Sequence, residues 1–194
     1  MAAQVQPIES VAPTLTVKSD IGEDLLAVAY LRMKTEQLLQ MVFWEKAPTL
    51  KSFLEWCAAP NSVIVGCFTE TDRSNVGSPP LIELAGLGWL TGITMRGGKR
   101  RADAGEVFWR ETQAAGLTSQ FGRLLLDFAF EEVKASTIYG ITPVRNVAAV
   151  RFMRHCGFES FGPIPELCCW MGETCDGYIS AMTFANWARR KNQP

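Results

Sequence analysis

A single histidine in 194 residues excludes multi-histidine metal centres and paired imidazole relays. Charge of one sign is also missing. Nineteen Lys and Arg against twenty Asp and Glu leave a net charge of −1, without the basic excess of a dedicated nucleic-acid binder. No apolar run approaches the roughly 18 residues of a membrane-spanning helix. The first ten residues lack a basic segment followed by an apolar one, so they are not read as a signal peptide. Neither Gly-Lys-Ser/Thr nor G-x-G-x-x-G occurs, which removes the nucleotide P-loop and the dinucleotide fingerprint. Six cysteines are present, but Cys168, Cys169 and Cys175 stand at C-C-x5-C, away from zinc spacing. They read as reduced thiols of a cytoplasmic chain that uses no metal.

What is present is enough apolar sequence, 47% against 20% charged, for one sizeable core. A loose polar arm over 1–13 is expected to precede a single domain over 14–194. A strand is expected over 15–18. Leu25, Ala29 and Met33 then repeat at helical spacing, and the pattern continues over 21–43 as a long helix or a bent pair. Pro48 opens a further helix over 49–58. The apolar run VIVGCF within 62–69 suits a buried strand, and 81–94 reads as a long extended segment. Residues 96–105 read as a polar hairpin loop and 106–110 as the returning strand. Leu117, Phe121, Leu124, Leu125 and Phe128 share one helical stripe. A strand over 136–142 and a helix over 146–156, ended by Gly157, follow. A closing hairpin of 167–171 and 178–184 is expected around Asp176 and Gly177. This order implies a mixed α/β fold, a mixed sheet flanked by helices.

Two segments carry chemistry. In EVFWRETQAAGLT, from Glu106 to Thr118, a strand meets a helix through a turn of small residues. Unpaired N–H groups and the helix dipole make such a turn suited to a pyrophosphate. Gly116 stands where a Cβ would obstruct that approach, and Ala114 and Ala115 keep the turn small. Thirty residues beyond Gly116, in RNVAAVRFMRHCGF, Asn146 caps a helix that ends at Gly157 and Phe158. With Gln113-x-x-Gly116 and Asn-x-x-Ala-x-x-Phe-x-x-x-x-Gly-Phe in this order, residues 81–190 resemble the GNAT superfamily of N-acetyltransferases. The runs LLLDFAFEE and AMTFANWARR bring the resemblance nearest to the subgroup that acetylates the N-termini of ribosomal proteins.

The resemblance implies a central twisted mixed sheet with two splayed parallel strands and acetyl-CoA as co-substrate between them. Main-chain groups of Phe108, Trp109 and Arg110 would pair with the pantetheine arm as with an added strand. Backbone N–H groups of Gln113, Ala114, Ala115, Gly116, Leu117, Thr118 and Ser119 would hold the pyrophosphate. Asn146, Ala149 and Phe152 would line the far wall. The partners implied are acetyl-CoA and an amine acceptor, a peptide N-terminus or a small molecule. Neither nucleic acid nor membrane is involved, and the chain is expected to be a monomer or homodimer.

Two departures stand out. Relatives that protonate the leaving thiolate with a Tyr or a Ser have those groups where this chain has Met153 and Ala149. A thiol with pKa near 8.5 needs little help to leave, so water suffices as donor. A non-catalytic acyl-CoA-binding or partner-binding module is the alternative. For the acceptor, an α-amine of pKa about 8 costs about 1.4 kcal/mol to deprotonate at pH 7, against about 4.6 for lysine. A site without a strong base therefore favours an α-amine or a weakly basic small amine. Glu106 is the first candidate base, acting through water; Glu83 and Tyr178 rank behind it. Trp44 and Trp89 are candidate walls of the acceptor pocket.

Overall fold

The computed structural model describes residues 13–42, 46–73 and 78–192. Most of the expected arm, and Trp44, lie outside them. Helix α1 (Glu23–Thr35) buries Ala29, Tyr30 and Met33 and carries acidic residues in its first turn and basic ones in its last, as its dipole favours. Gln37, at φ 61°, follows it, and the chain resumes as α2 (Leu39–Val42). The segment from residue 21 to 42 is thus a bent pair. Thr49 opens α3 (Leu50–Cys57), its hydroxyl accepting from the Ser52 N–H at 3.2 Å.

Seven strands form one sheet: β1 (Thr14–Lys18), β2 (Val63–Thr71), β3 (Leu81–Arg96), β4 (Lys99–Phe108), β5 (Thr137–Pro143), β6 (Glu159–Trp170) and β7 (Glu173–Thr183). Their order is β1-β2-β3-β4-β5-β7-β6. Every neighbouring pair is antiparallel except β4 and β5. A parallel pair needs a crossover, supplied by α4 (Arg110–Ala114) and α5 (Thr118–Glu131). Helix α6 (Val147–Cys156) joins β5 to β6, and α7 (Phe184–Lys191) follows β7.

Side chains alternate across the sheet. Ile64, Leu87, Trp89 and Val107 pack with α1, α2 and α3. Leu90, Ala102, Ile138 and Met182 pack with α5, α6 and α7, and Cys67, Ala85 and Phe108 surround Phe121 of α5. Among the described residues no helix is long and apolar enough to cross a membrane. All six cysteines are free.

Three expectations are corrected. The polar loop over 96–105 is mostly strand; only Gly97 and Gly98, at φ 55° and 72°, form the turn. Two consecutive positive φ values match the twist of a two-residue hairpin. The last hairpin turns at Met171 and Gly172, at φ 54° and 84°, whereas Gly177 sits inside β7, paired with Pro143 and Ile164. The strand expected over 178–184 stops at Thr183, whose side chain accepts from the Asn186 N–H and caps α7.

Candidate active site

Strands β4 and β5 are paired only at Arg101–Thr137, Ala102–Ile138 and Asp103–Tyr139. Beyond that point they part. β4 stays bonded to β3 as far as Phe108, and β5 stays bonded to β7 as far as Pro143. The facing edges, 104–108 and 140–143, are thus left without a ladder partner on the side of the gap. A cavity of about 350 Å³ occupies the gap.

Alternation along β4 gives this cavity two faces. Glu106 lies opposite Gly88, and a Cβ at Gly88 would meet Leu125 of α5 at 2.9 Å; Glu106 therefore faces α5 and α6. Gly105 lies opposite Trp89, whose ring covers it on the other face so closely that no Cβ would fit. Asp103 shares that second face with Gly105.

The wall toward α5 and α6 is mostly apolar: Leu125, Leu126, Phe152, Met153 and Cys156 line it, with Ala149 and Asn146 at the rim. Its position depends on Gly122, because the Phe152 ring occupies the space a Cβ there would need. Asn146 caps α6, its side-chain oxygen accepting from the Ala149 N–H at 3.1 Å. At the other end Gly157, at φ 87°, donates to the Met153 and Arg154 carbonyls.

Glu106 is the half-buried carboxyl on this wall. Burial alone, with no hydrogen bond or countercharge acting on it, pushes its carboxyl up to about 8. The titratable groups near it are the Cys67 and Cys156 thiols, both raised by burial first and by the charge of Glu106 second. Cys156 is pushed up to about 12, so at neutral pH it is a thiol and no nucleophile.

The turn beyond β4 is more closed than expected. The N–H groups of Gln113, Ala115, Gly116 and Leu117 donate to the carbonyls of Trp109, Glu111, Gln113 and Thr112 at 2.9–3.3 Å. The Gln113 side chain donates to the Phe108 carbonyl at 2.8 Å and ties the turn to the strand end. The N–H groups of Thr118 and Ser119, in the first turn of α5, have no backbone acceptor among the described residues. Gly116 has φ +70°, and nothing lies within 4 Å of where its Cβ would be.

The expected strand-like pairing at Trp109 and Arg110 is displaced. The Trp109 N–H already donates to the Ala85 carbonyl at 3.1 Å, and its carbonyl accepts from Gln113. The Arg110 N–H donates to Glu36 at 3.0 Å, in a cluster with Arg32 and Glu111. The unpaired edge lies earlier, from residue 104 to residue 107, since the Phe108 carbonyl is taken by Gln113.

Of the expected site residues, Glu106, Asn146, Ala149 and Phe152 come together around the cavity. Phe108, Trp109, Arg110 and the turn from Gln113 to Ser119 do not line it. Thr118 starts α5 one turn before Gly122, about 6 Å along the helix from the wall. Trp89 lines the cavity, whereas Glu83 and Tyr178 do not. Asp103, Met41, Val42 and Trp170 also line it and were not anticipated. Reading β4 from Lys99, with its alternation, would have placed Asp103 on the face opposite Glu106.

The acetyltransferase (GNAT) domain family matches residues 23–159. The chain belongs to this family. A search among curated proteins finds no match. Among solved structures, this GNAT chain is similar to spermidine N-acetyltransferase from Vibrio cholerae in complex with CoA and spermine, at 18% identity and a TM-score of 0.74. That alignment covers 90% of this chain and 98% of the other. A chimera of the same enzyme and hSSAT matches at 18% identity and a TM-score of 0.70, covering 92% and 99%. A single-residue mutant of the Vibrio cholerae enzyme matches at 19% identity and a TM-score of 0.70, covering 93% and 99%. At these identities the likeness is one of fold.

Proposed function

We propose that the chain, as one acetyltransferase domain over 14–194, transfers an acetyl group from acetyl-CoA to an amine by direct attack in a ternary complex. The observation that carries this reading is the parting of β4 and β5 after Asp103 and Tyr139. It exposes two unpaired edges around a cavity that reaches both faces of the sheet. An amide-bearing arm fits those edges. Leu125, Phe152 and Met153 supply an apolar wall beside it, and the first N–H groups of α5 fit a pyrophosphate. The similar Vibrio cholerae enzyme holds CoA and spermine, which supports an acyl donor and an amine for a cleft of this kind.

Acetyl-CoA, when bound, supplies the activated acyl group; the chain supplies position and proton handling. Direct transfer is favoured because Cys156 stays protonated and offers no acyl-enzyme route. Glu106 acts as base, through water. At the usual 4.5 its carboxylate would be a poor acceptor for an ammonium proton. Burial makes it a stronger base by more than three powers of ten, at the cost of being mostly protonated below pH 8. The proton for the departing thiolate comes from solvent, since Met153 and Ala149 carry no donor.

The acceptor is a protein N-terminal α-amine, supported by the sequence runs LLLDFAFEE and AMTFANWARR, or a small-molecule amine, supported by the spermidine-acetylating neighbour. A second reading, a non-catalytic acyl-CoA-binding module, is favoured by one observation: Met153 and Ala149 line the cavity where relatives carry proton donors. Release of CoA thiol over a panel of peptides and small amines separates the two. Amine-dependent release supports the enzyme. Acetyl-CoA binding without release on any acceptor supports the module.

A further inference from the structure

We propose that the Thr142 hydroxyl is a catalytic group of the cleft, donating a hydrogen bond to the sulfur of acetyl-CoA as the thiolate departs. The inference rests on the acetyltransferase reading and supplies the leaving-group contact that Met153 and Ala149 do not.

Among the described residues three polar side chains are buried, all of them hydroxyls: Thr112, Ser180 and Thr142. Thr112 donates to the Ala85 carbonyl at 2.8 Å, and Ser180 shares a hydrogen bond with Ser160 at 2.8 Å. Thr142, 5% exposed, has no side-chain partner among the described residues. Its oxygen is not sealed in, since Arg101 Nε is the one described side-chain atom closed to solvent without a partner. Thr142 lines the cavity, and its hydroxyl opens there. An unpaired hydroxyl inside a fold is costly, and an acceptor from outside removes that cost.

Position points to the acceptor. Ile138 packs with α5 and α6, and a Cβ at Gly140 would meet the Met153 side chain at 2.5 Å. The two-residue period of β5 puts Thr142 on this same face. The register of β4 and β5 ends at Asp103–Tyr139; continued into the gap, it sets residue 142 across from residue 106. Glu106 also faces α5 and α6, so a carboxyl and a hydroxyl flank one side of the gap from its two edges. An arm whose phosphates sit at the first turn of α5 enters the gap at its open end and stops where the strands meet. Its sulfur end then lies at the level of Glu106 and Thr142.

The amine nitrogen bonds to the acyl carbon, and the carbon–sulfur bond breaks with its electron pair passing to sulfur. The amine proton leaves to Glu106 through water, and the sulfur takes its proton from solvent. Thr142 keeps its own proton. A thioester sulfur is a weak acceptor and a thiolate a charged, strong one. The hydrogen bond therefore tightens as charge develops and favours the transition state over the bound thioester. Leu125, Phe152 and Met153 give it apolar surroundings, which strengthen it.

The test is titration of CoA bound to the full chain, read by thiolate ultraviolet absorbance between pH 6 and 10 against the chain without CoA. The other titratable groups nearest this point are Glu106 from β4, Cys156 from α6 and Tyr178, the β7 neighbour of Thr142; all three stay in every variant. Thr142→Val should move the bound thiol's titration up by about one pH unit or more, and Thr142→Ser should hold the parent value. With any amine the parent turns over, Thr142→Val should lower kcat/KM about tenfold. Its acetyl-CoA affinity in calorimetry should stay within about twofold, since the thioester sulfur accepts weakly. Thermal unfolding should come no earlier than in the parent, because the hydroxyl removed has no partner in the fold. An unmoved thiol titration, an unchanged kcat/KM or a destabilised Thr142→Val chain overturns the inference. A loss of acetyl-CoA affinity without a thiol shift does so too, by placing the hydroxyl on the arm. These results leave the acetyltransferase reading intact. Failure of the unaltered chain to bind acetyl-CoA, or to release CoA with any amine, overturns both.

Discussion

Replacing Glu106 with Gln separates the carboxyl's charge from its shape. The fold raises this acid from 4.5 to about 8, and at 1.36 kcal/mol per unit the shift amounts to about 5 kcal/mol. The sign follows from which state holds the proton. Between pH 4.5 and 8 the folded chain keeps a proton that the unfolded chain has already released, so stability falls as pH rises through that window and levels off above it. Gln cannot ionise and escapes the loss. Glu106→Gln should therefore match the parent near pH 4 and be more stable by about 3 kcal/mol at pH 7 and about 5 at pH 9. Turnover should move the other way, falling about 10²- to 10⁴-fold, with loss of a rise in rate centred near pH 8. Urea unfolding at pH 4, 7 and 9, paired with CoA release over the same range, reads both effects. A stability difference that does not grow with pH would refute the burial argument. Parent-like turnover at every pH would remove Glu106 from the reaction.

Gly116→Glu should weaken acetyl-CoA binding by at least about 100-fold in calorimetry, because a carboxylate would then stand beside the phosphates. Its positive φ adds a stability cost of about 1–2 kcal/mol, readable in urea; unchanged affinity would detach the turn from the cofactor. Asn146→Ala removes the α6 cap and should cost about 1 kcal/mol in thermal unfolding, and an unchanged midpoint would contradict the capping role. Gly122→Ala should drive the Phe152 ring from its seat at a cost of about 1–3 kcal/mol, and full stability would show that α6 does not depend on that contact.

Much of the frame was legible because its signals are local. The spacing of Leu25, Ala29 and Met33 marks α1, and VIVGCF marks β2. Asn146 and Gly157 bracket α6 by cap chemistry that the fold then uses: an N–H taken at one end and a left-handed φ at the other. The illegible parts are those where tertiary pairing outweighs composition. Lys99, Arg100, Arg101 and Asp103 look like a solvated loop, yet they lie in one strand with the buried Ala102, paired with β3 and, from Arg101 to Asp103, with β5 as well. Asp176 and Gly177 have the composition of a turn, but the chain reverses at Met171, where a methionine takes a left-handed φ that gives no sequence signal. The site followed the same division. The α6 wall could be read from its motif. The second face, with Asp103 and Trp170, depends on a strand that composition hides and on a distant hairpin.

The central claim is that the gap between β4 and β5 receives acetyl-CoA. Residue-resolved amide hydrogen exchange, with and without acetyl-CoA, tests it most directly. Slowed exchange is expected in the edges at 104–108 and 140–143 and in the first turn of α5 at Thr118 and Ser119, with little change in β1, β2 and α3. Protection confined to other segments, or none at saturating acetyl-CoA, would contradict it.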